Sequence, residues 1–275
     1  VTVSARQLPA ALLALLAGVA AVVAVAAWYV RGEVIDREAF AGRAVRALER
    51  DEVRTAVRAE LTAEVLAQVP AAELLGDRVE RTVGSAIDAP PFRRAFRQGA
   101  AEVNRVLFER GGDDASLRVD VGAILGGADP RLGELLPAGL ETRLVSLRAE
   151  RLGVGTRRAA DLTDALAILA PAIAVLALAL ALLIAADRRA VLRSAAVAVV
   201  LTAAVLLALL AFGRGGALDE LQAGGSLTRQ QTRDAAEAAL AVYTDDLRTR
   251  LLIAIAAGVA LLLLTLLPRR RPAGG

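Results

Sequence analysis

Four long stretches of the chain, residues 8–30, 165–186, 194–212 and 251–267, contain no Asp, Glu, Arg or Lys, and they limit the possible folds more than any other feature. A helix of about 22 residues rises roughly 33 Å, against a bilayer hydrocarbon core of about 30 Å, so runs of this size are long enough to span. One central Arg or Asp costs about 2.5–3.5 kcal/mol on insertion scales, so unbroken apolar runs are what lipid-facing spans require. The chain is 56% hydrophobic yet 23% charged, so the two kinds of residue must be segregated, and most of the charge follows the first run.

The first run opens with Pro9 at a tolerated first-turn position and closes on Trp28 and Tyr29, which suit an interfacial belt. A cleaved signal peptide is the rival reading, since Arg6 supplies a basic start and Ala24, Val25 and Ala26 an A-x-A pattern. The apolar stretch exceeds the usual core of about 7–15 residues in such peptides, which favours a retained anchor. Either way the following segment is exported. Arg188, Arg189 and Arg193 in a tight turn, Arg269, Arg270 and Arg271 in the tail, and Arg6 place both termini and that turn in the cytoplasm. Arg31, Arg157, Arg158, Arg248 and Arg250 flank the opposite side and weaken this bias.

The expected organisation is a mainly α membrane protein with about four transmembrane helices, N-in and C-in. Its segments are a cytoplasmic N-terminus at 1–7, a first span at 8–30, an exported domain at 31–160 and a second span at 161–187. A cytoplasmic turn at 188–193, a third span at 194–212, an exported loop at 213–250, a fourth span at 251–267 and a tail at 268–275 follow. The exported domain, about 130 residues, can bury a core of its own. Asp36 is placed to cap a helix carrying Phe40, Val45 and Leu48, and Asp51 another that Pro70 ends. A third helix is expected over 77–87. A fourth, opened by Pro90 and Pro91, carries a stripe of Phe92, Phe96, Val103 and Leu107 before Gly111 and Gly112 stop it. Alternation at 117–121 and 141–147 suggests two short strands around helical turns at 123–136. The loop at 213–250 begins Gly-rich and continues as an amphipathic helix with Ala236, Leu240, Tyr243 and Leu247 on one face.

The residue types that are absent remove whole chemistries. All 33 basic residues are Arg, and His, Cys, Met and Lys do not occur, a bias resembling that of a GC-rich genome. With no Met, Val1 reads as an alternative start codon translated literally or as a trimmed end. Without His or Cys the usual Zn, haem, Fe–S and copper ligand sets cannot be built, and Ser-His-Asp and Cys-His catalysis fall with them. Without Lys there is no Schiff base and no P-loop lysine. No cofactor is expected, and no disulfide can hold the exported domain.

Among remaining candidates, Arg93, Arg94 and Arg97 interleave with Phe92 and Phe96 and form a candidate interaction patch for anionic headgroups or an acidic envelope polymer. The competing and stronger reading makes the two Phe core residues at i, i+4 and the arginines a solvated flank. The acid pairs Asp113–Asp114 and Asp245–Asp246 could in principle serve acid–base chemistry, but adjacent side chains diverge and no calcium-loop pattern surrounds them. Transport usually needs ionisable or strongly polar groups at membrane depth, and the runs offer almost none; Thr202 and Thr265 are polar but can bond to their own helix. Glycines 18 and 258 suit close helix packing. A net charge of only +3, with arginines spread among acids, disfavours nucleic acid.

Residues 26–31 running into Asp36–Phe40, the helix from Phe92 to Phe108, and residues 241–248 entering the last run together resemble a group of uncharacterised actinobacterial-type four-span integral membrane proteins. That resemblance covers nearly the whole chain, implies a large exported helical domain, and carries no catalytic signature. The chain therefore reads as a non-enzymatic, multi-pass cell-membrane protein in contact with the lipid bilayer. Its exported domain is expected to bind another envelope protein, a cell-wall component or a second copy of itself. A transporter or channel subunit is the alternative.

Overall fold

The four uncharged runs fall on four helices of a computed structural model, which describes residues 7–68, 76–108, 115–120, 141–147, 149–219 and 229–267. In chain order the elements are α1 (Gln7–Val30), a π-helical turn (Arg31–Ile35), α2 (Arg37–Ala47), α3 (Asp51–Gln68), α4 (Gly76–Asp88) and α5 (Pro90–Phe108). The strands β1 (Ala115–Asp120) and β2 (Glu141–Leu147) follow, then α6 (Ala149–Ile184), α7 (Arg188–Asp219) and α8 (Arg229–Leu266). The chain divides into two compact units. One comprises Val1–Arg31, Leu162–Gly213 and Asp245–Gly275; the other comprises Gly32–Asp161 and Arg214–Thr244.

The first unit holds the apolar helices, and four helical stretches, Gln7–Ile35, Arg158–Ile184, Arg188–Gly213 and Gln230–Leu266, are long and apolar enough to cross a membrane. Its packing is inverted relative to a protein core formed in water. Small residues such as Ala14, Ala181 and Ala203 are fully buried, whereas Leu183 and Phe212 are 82% and 81% exposed. Every large apolar side chain exposed among the residues whose side chains are described lies on α1, α6, α7 or α8, or at Leu267 just past the end of α8. Small residues let helix backbones approach closely, and Gly18 shows how closely: a Cβ there would stand 2.6 Å from the Ala195 carbonyl oxygen of α7. Gly258 of α8 meets α7 in the same way, with Val200 Cγ2 2.8 Å from where its Cβ would be.

Polar contacts gather at the two ends of this bundle. At one end Arg31 pairs with Asp164 at 3.2 Å and the Arg250 guanidinium lies 5.2 Å from the centre of the buried Tyr29 ring. Trp28 there is 66% exposed. At the other end Asp187 accepts the Arg189 backbone N–H at 2.9 Å, closing the turn that starts α7, and Arg193 donates to the Thr265 carbonyl at 2.8 Å. Thr265 donates its hydroxyl to the Leu262 carbonyl of its own helix at 2.7 Å.

The second unit is built like a water-soluble domain. Asp36 caps α2, its carboxylate accepting the Ala39 N–H at 2.9 Å. Leu48, Val53, Leu61, Val65, Val79, Val83, Ile87 and Phe92 then form one buried cluster from α2 to α5, with Phe96, Val103 and Ala238 and Ala239 of α8 packed on it. Phe92 and Phe96 stack with ring centres 6.1 Å apart. β1 and β2 pair antiparallel from Ala115↔Leu147 to Asp120↔Glu141, with an irregularity between Leu117 and Arg118; β1 runs beside α5 and β2 beside α3. Expected features at Arg6, Pro70, 111–114, 123–136, 224–225 and 268–275 lie outside the described residues.

Two helices extend beyond the expected spans. The third apolar helix does not give way to a loop at residue 213 but continues to Asp219, because glycine costs a helix only about 1 kcal/mol and no proline interrupts the hydrogen-bond ladder there. α6 starts at Ala149, twelve residues before the expected start of its span at 161. The amphipathic segment and the fourth apolar run form one helix of 38 residues. Its packed side is broader than the expected face: Leu247 is buried and Ala236, Leu240 and Tyr243 half-buried, but Ala238 and Ala239 touch the core cluster.

Candidate functional site

α5 carries all three arginines of the candidate patch, and all three are exposed while Phe92 beneath them is buried. They do not converge on one point. Arg93 faces Asp88 at 3.9 Å, and Arg97 reaches back across α2, where its Nη2 would be 3.6 Å from a Cβ on Gly42. Arg94 has no ion pair among the described residues. Asp88 also faces Arg54 of α3 at 3.9 Å, so one carboxylate is shared by two cations at loose, solvated distances. Further along α5, Arg105 hydrogen-bonds Glu102 through Nε at 2.9 and 3.0 Å, and this bond holds the Glu102 carboxyl below the usual range. Asp245 and Asp246 are both exposed, and Asp113 and Asp114 lie outside the described residues.

A buried polar cluster in the second unit was not visible in the sequence. Arg43 is 2% exposed and donates from Nε and Nη2 to one Glu33 oxygen at 3.0 and 2.8 Å, and from Nη1 to the Val242 carbonyl at 2.7 Å. Buried Asn104 of α5 donates to the Val34 carbonyl at 2.8 Å, satisfying an acceptor in the π-helical turn. Tyr243 donates its hydroxyl to the Phe40 carbonyl at 3.0 Å while the two rings lie 5.2 Å apart. Segments around residues 34–43, 104 and 242–243 are thus tied together by side chains that each reach a backbone carbonyl. The available signal was positional: Arg43 shares a helical face with Phe40 and buried Ala47, where an unpaired cation would be costly.

In the first unit, a cavity of about 430 Å³ lies among α1, α6, α7 and α8, and its walls consist only of Ala, Gly, Val and Leu. Gly18 and Gly258 both border it. A wall of this kind offers no oxygen or nitrogen side chain to replace the hydration of an ion or polar solute.

No protein-family model, curated protein or solved structure matches the chain.

Proposed function

We propose that the chain is a non-enzymatic, multi-pass cell-membrane protein whose exported domain, residues 31–160, nearly all of them in the second unit, lies outside the cytoplasm and binds an envelope protein, a cell-wall component or a second copy. The termini and the 188–193 turn are cytoplasmic in this reading, because the short Arg-rich segments belong there. The supporting observation is that, among the described residues, exposed large apolar side chains lie on or next to α1, α6, α7 and α8, while the second unit has a core of its own. The apolar walls of the interhelical cavity favour this reading over a transporter or channel subunit. A photoreactive residue placed at Arg93 or Arg97 in living cells tests this role. One identified protein or wall polymer, lost when Arg94 is changed to Glu, is expected; capture of lipid alone across several sites counts against it.

A further inference from the structure

Nε of Arg58 and Oγ1 of Thr62, one turn apart on α3, are buried without a hydrogen-bond partner among the described residues. Native proteins leave few such groups, each costing about 1–3 kcal/mol. Gly84 of α4 sets where this guanidinium lies: a Cβ on that residue would stand 3.1 Å from Nε, 3.2 Å from Cζ and 3.3 Å from Nη2 of Arg58. Gly84 is interior to α4, where glycine costs about 1 kcal/mol relative to alanine, so the helix is weakened where the arginine rests on its backbone.

Arg58 borders a cleft of about 550 Å³ whose other lining includes Asp77, Glu80, Arg81, Ser85 and Asp88. That volume falls within the range of small-ligand sites. Several of these groups are already engaged. Arg81 donates to the Asp77 backbone carbonyl at 3.2 Å, Ser85 donates to the Thr82 carbonyl at 2.9 Å, and Asp88 faces Arg54 and Arg93. The side chains of Arg58, Asp77 and Glu80 have no ion pair among the described residues, which leaves one cation and two carboxylates open in a single cleft.

This mixture selects by sign. A bare anion would meet the carboxylates, and a bare cation would meet Arg58 and Arg81, but a ligand with a carboxylate at one end and an ammonium at the other satisfies both. Its length follows from helix geometry. Glu80 and Asp77 lie one and two turns before Gly84, about 6 and 10 Å along the axis, and an extended chain covers about 3.3–3.6 Å per residue. Two or three residues bridge that distance.

We propose that this cleft binds a short free peptide of two or three residues, its carboxylate held by Arg58 and its ammonium by Glu80 and Asp77. The assignment rests on the binding role proposed for the second unit and names the chemical class of ligand. Trialanine, titrated calorimetrically into the purified full chain in detergent, is the probe, with doubly blocked trialanine, acetate and inorganic phosphate beside it. The free peptide binds more tightly than all three, and R58Q weakens it about tenfold, the effect of losing a charge-assisted bidentate contact. G84A removes no charge but displaces the guanidinium, and weakens binding about threefold or more. R50Q, at an exposed position between α2 and α3 that does not line the cleft, leaves the affinity unchanged, and thermal unfolding of each variant shows that it is folded. Equal binding of blocked and free peptide overturns the proposal, as does acetate or phosphate binding as tightly, or R58Q and G84A variants that are folded and bind like the parent chain. Failure here leaves the crosslinking result for the second unit standing, because detergent titration needs neither membrane orientation nor a macromolecular partner.

Discussion

Replacing Gly18 with Ala adds one methyl group to α1 and tests how tightly the apolar helices are packed. The new Cβ would lie 2.6 Å from both the Ala195 carbonyl oxygen and Ala198 Cβ, and 3.2 Å from the Val199 nitrogen. Ordinary contact needs about 3.5–4.0 Å, so α1 and α7 must separate by about 1 Å. Two of the three opposing atoms belong to the backbone, so a rotamer change cannot relieve the overlap. Overpacking of this kind costs about 1–3 kcal/mol, less up to about 1 kcal/mol gained from alanine's helix propensity. At Gly258 the nearest atom is a Val200 methyl group at 2.8 Å, which can move, so Gly258→Ala should cost less. Gly213 lies on α7 with nothing within 4 Å of its would-be Cβ, and Gly213→Ala should be neutral or stabilising by up to about 1 kcal/mol. Unfolding by SDS titration in mixed micelles, followed by circular dichroism, should rank the variants Gly213→Ala, Gly258→Ala, Gly18→Ala in falling stability. A Gly18→Ala chain as stable as Gly213→Ala would refute the close approach of α1 and α7.

Arg43→Met should destabilise the second unit by about 3 kcal/mol, because it leaves Glu33 and the Val242 carbonyl without their donor, while Glu33's 29% exposure keeps the loss at the low end for buried pairs; hydrogen exchange of α2 amides reads this directly. Tyr243→Phe removes the hydroxyl bond to the Phe40 carbonyl and should cost about 1 kcal/mol, with ring packing kept, as a drop in thermal midpoint. Glu102 should titrate below the ordinary glutamate value of 4.5, and Arg105→Gln should raise it, as followed by carboxyl NMR shifts. Since the folded value is the lower one, its small stabilisation is present above the unfolded value and is lost as pH falls through the folded one.

How far residues alone lead can be judged from particular elements. Asp36 and the apolar spacing after it were enough to place α2, and Phe92 and Phe96 at i, i+4 to place the buried side of α5, because capping and helical periodicity are local. Uncharged length likewise marked the four apolar helices. Nothing local marks the end of α7, since glycine weakens a helix without breaking it. Arg43 was not singled out because the carbonyl it meets, on Val242, is 199 residues away. Arg58 was missed for the same reason: its position depends on Gly84 of another helix, and a glycine within a helical pattern was the only trace. The three arginines on α5 could be located in sequence, but whether they converge depended on Gly42 and Asp88, which lie on or beside other helices.

The orientation of the chain in the membrane is tested most directly by single-cysteine labelling, which has no background because the sequence contains no cysteine. Arg94→Cys and Arg188→Cys are both at exposed positions, one on α5 and the other at the start of α7. A membrane-impermeant maleimide applied to intact cells should label Arg94→Cys and should reach Arg188→Cys only after permeabilisation. Labelling of Arg188→Cys in intact cells, with Arg94→Cys protected, would contradict the proposed topology and with it an exported binding domain.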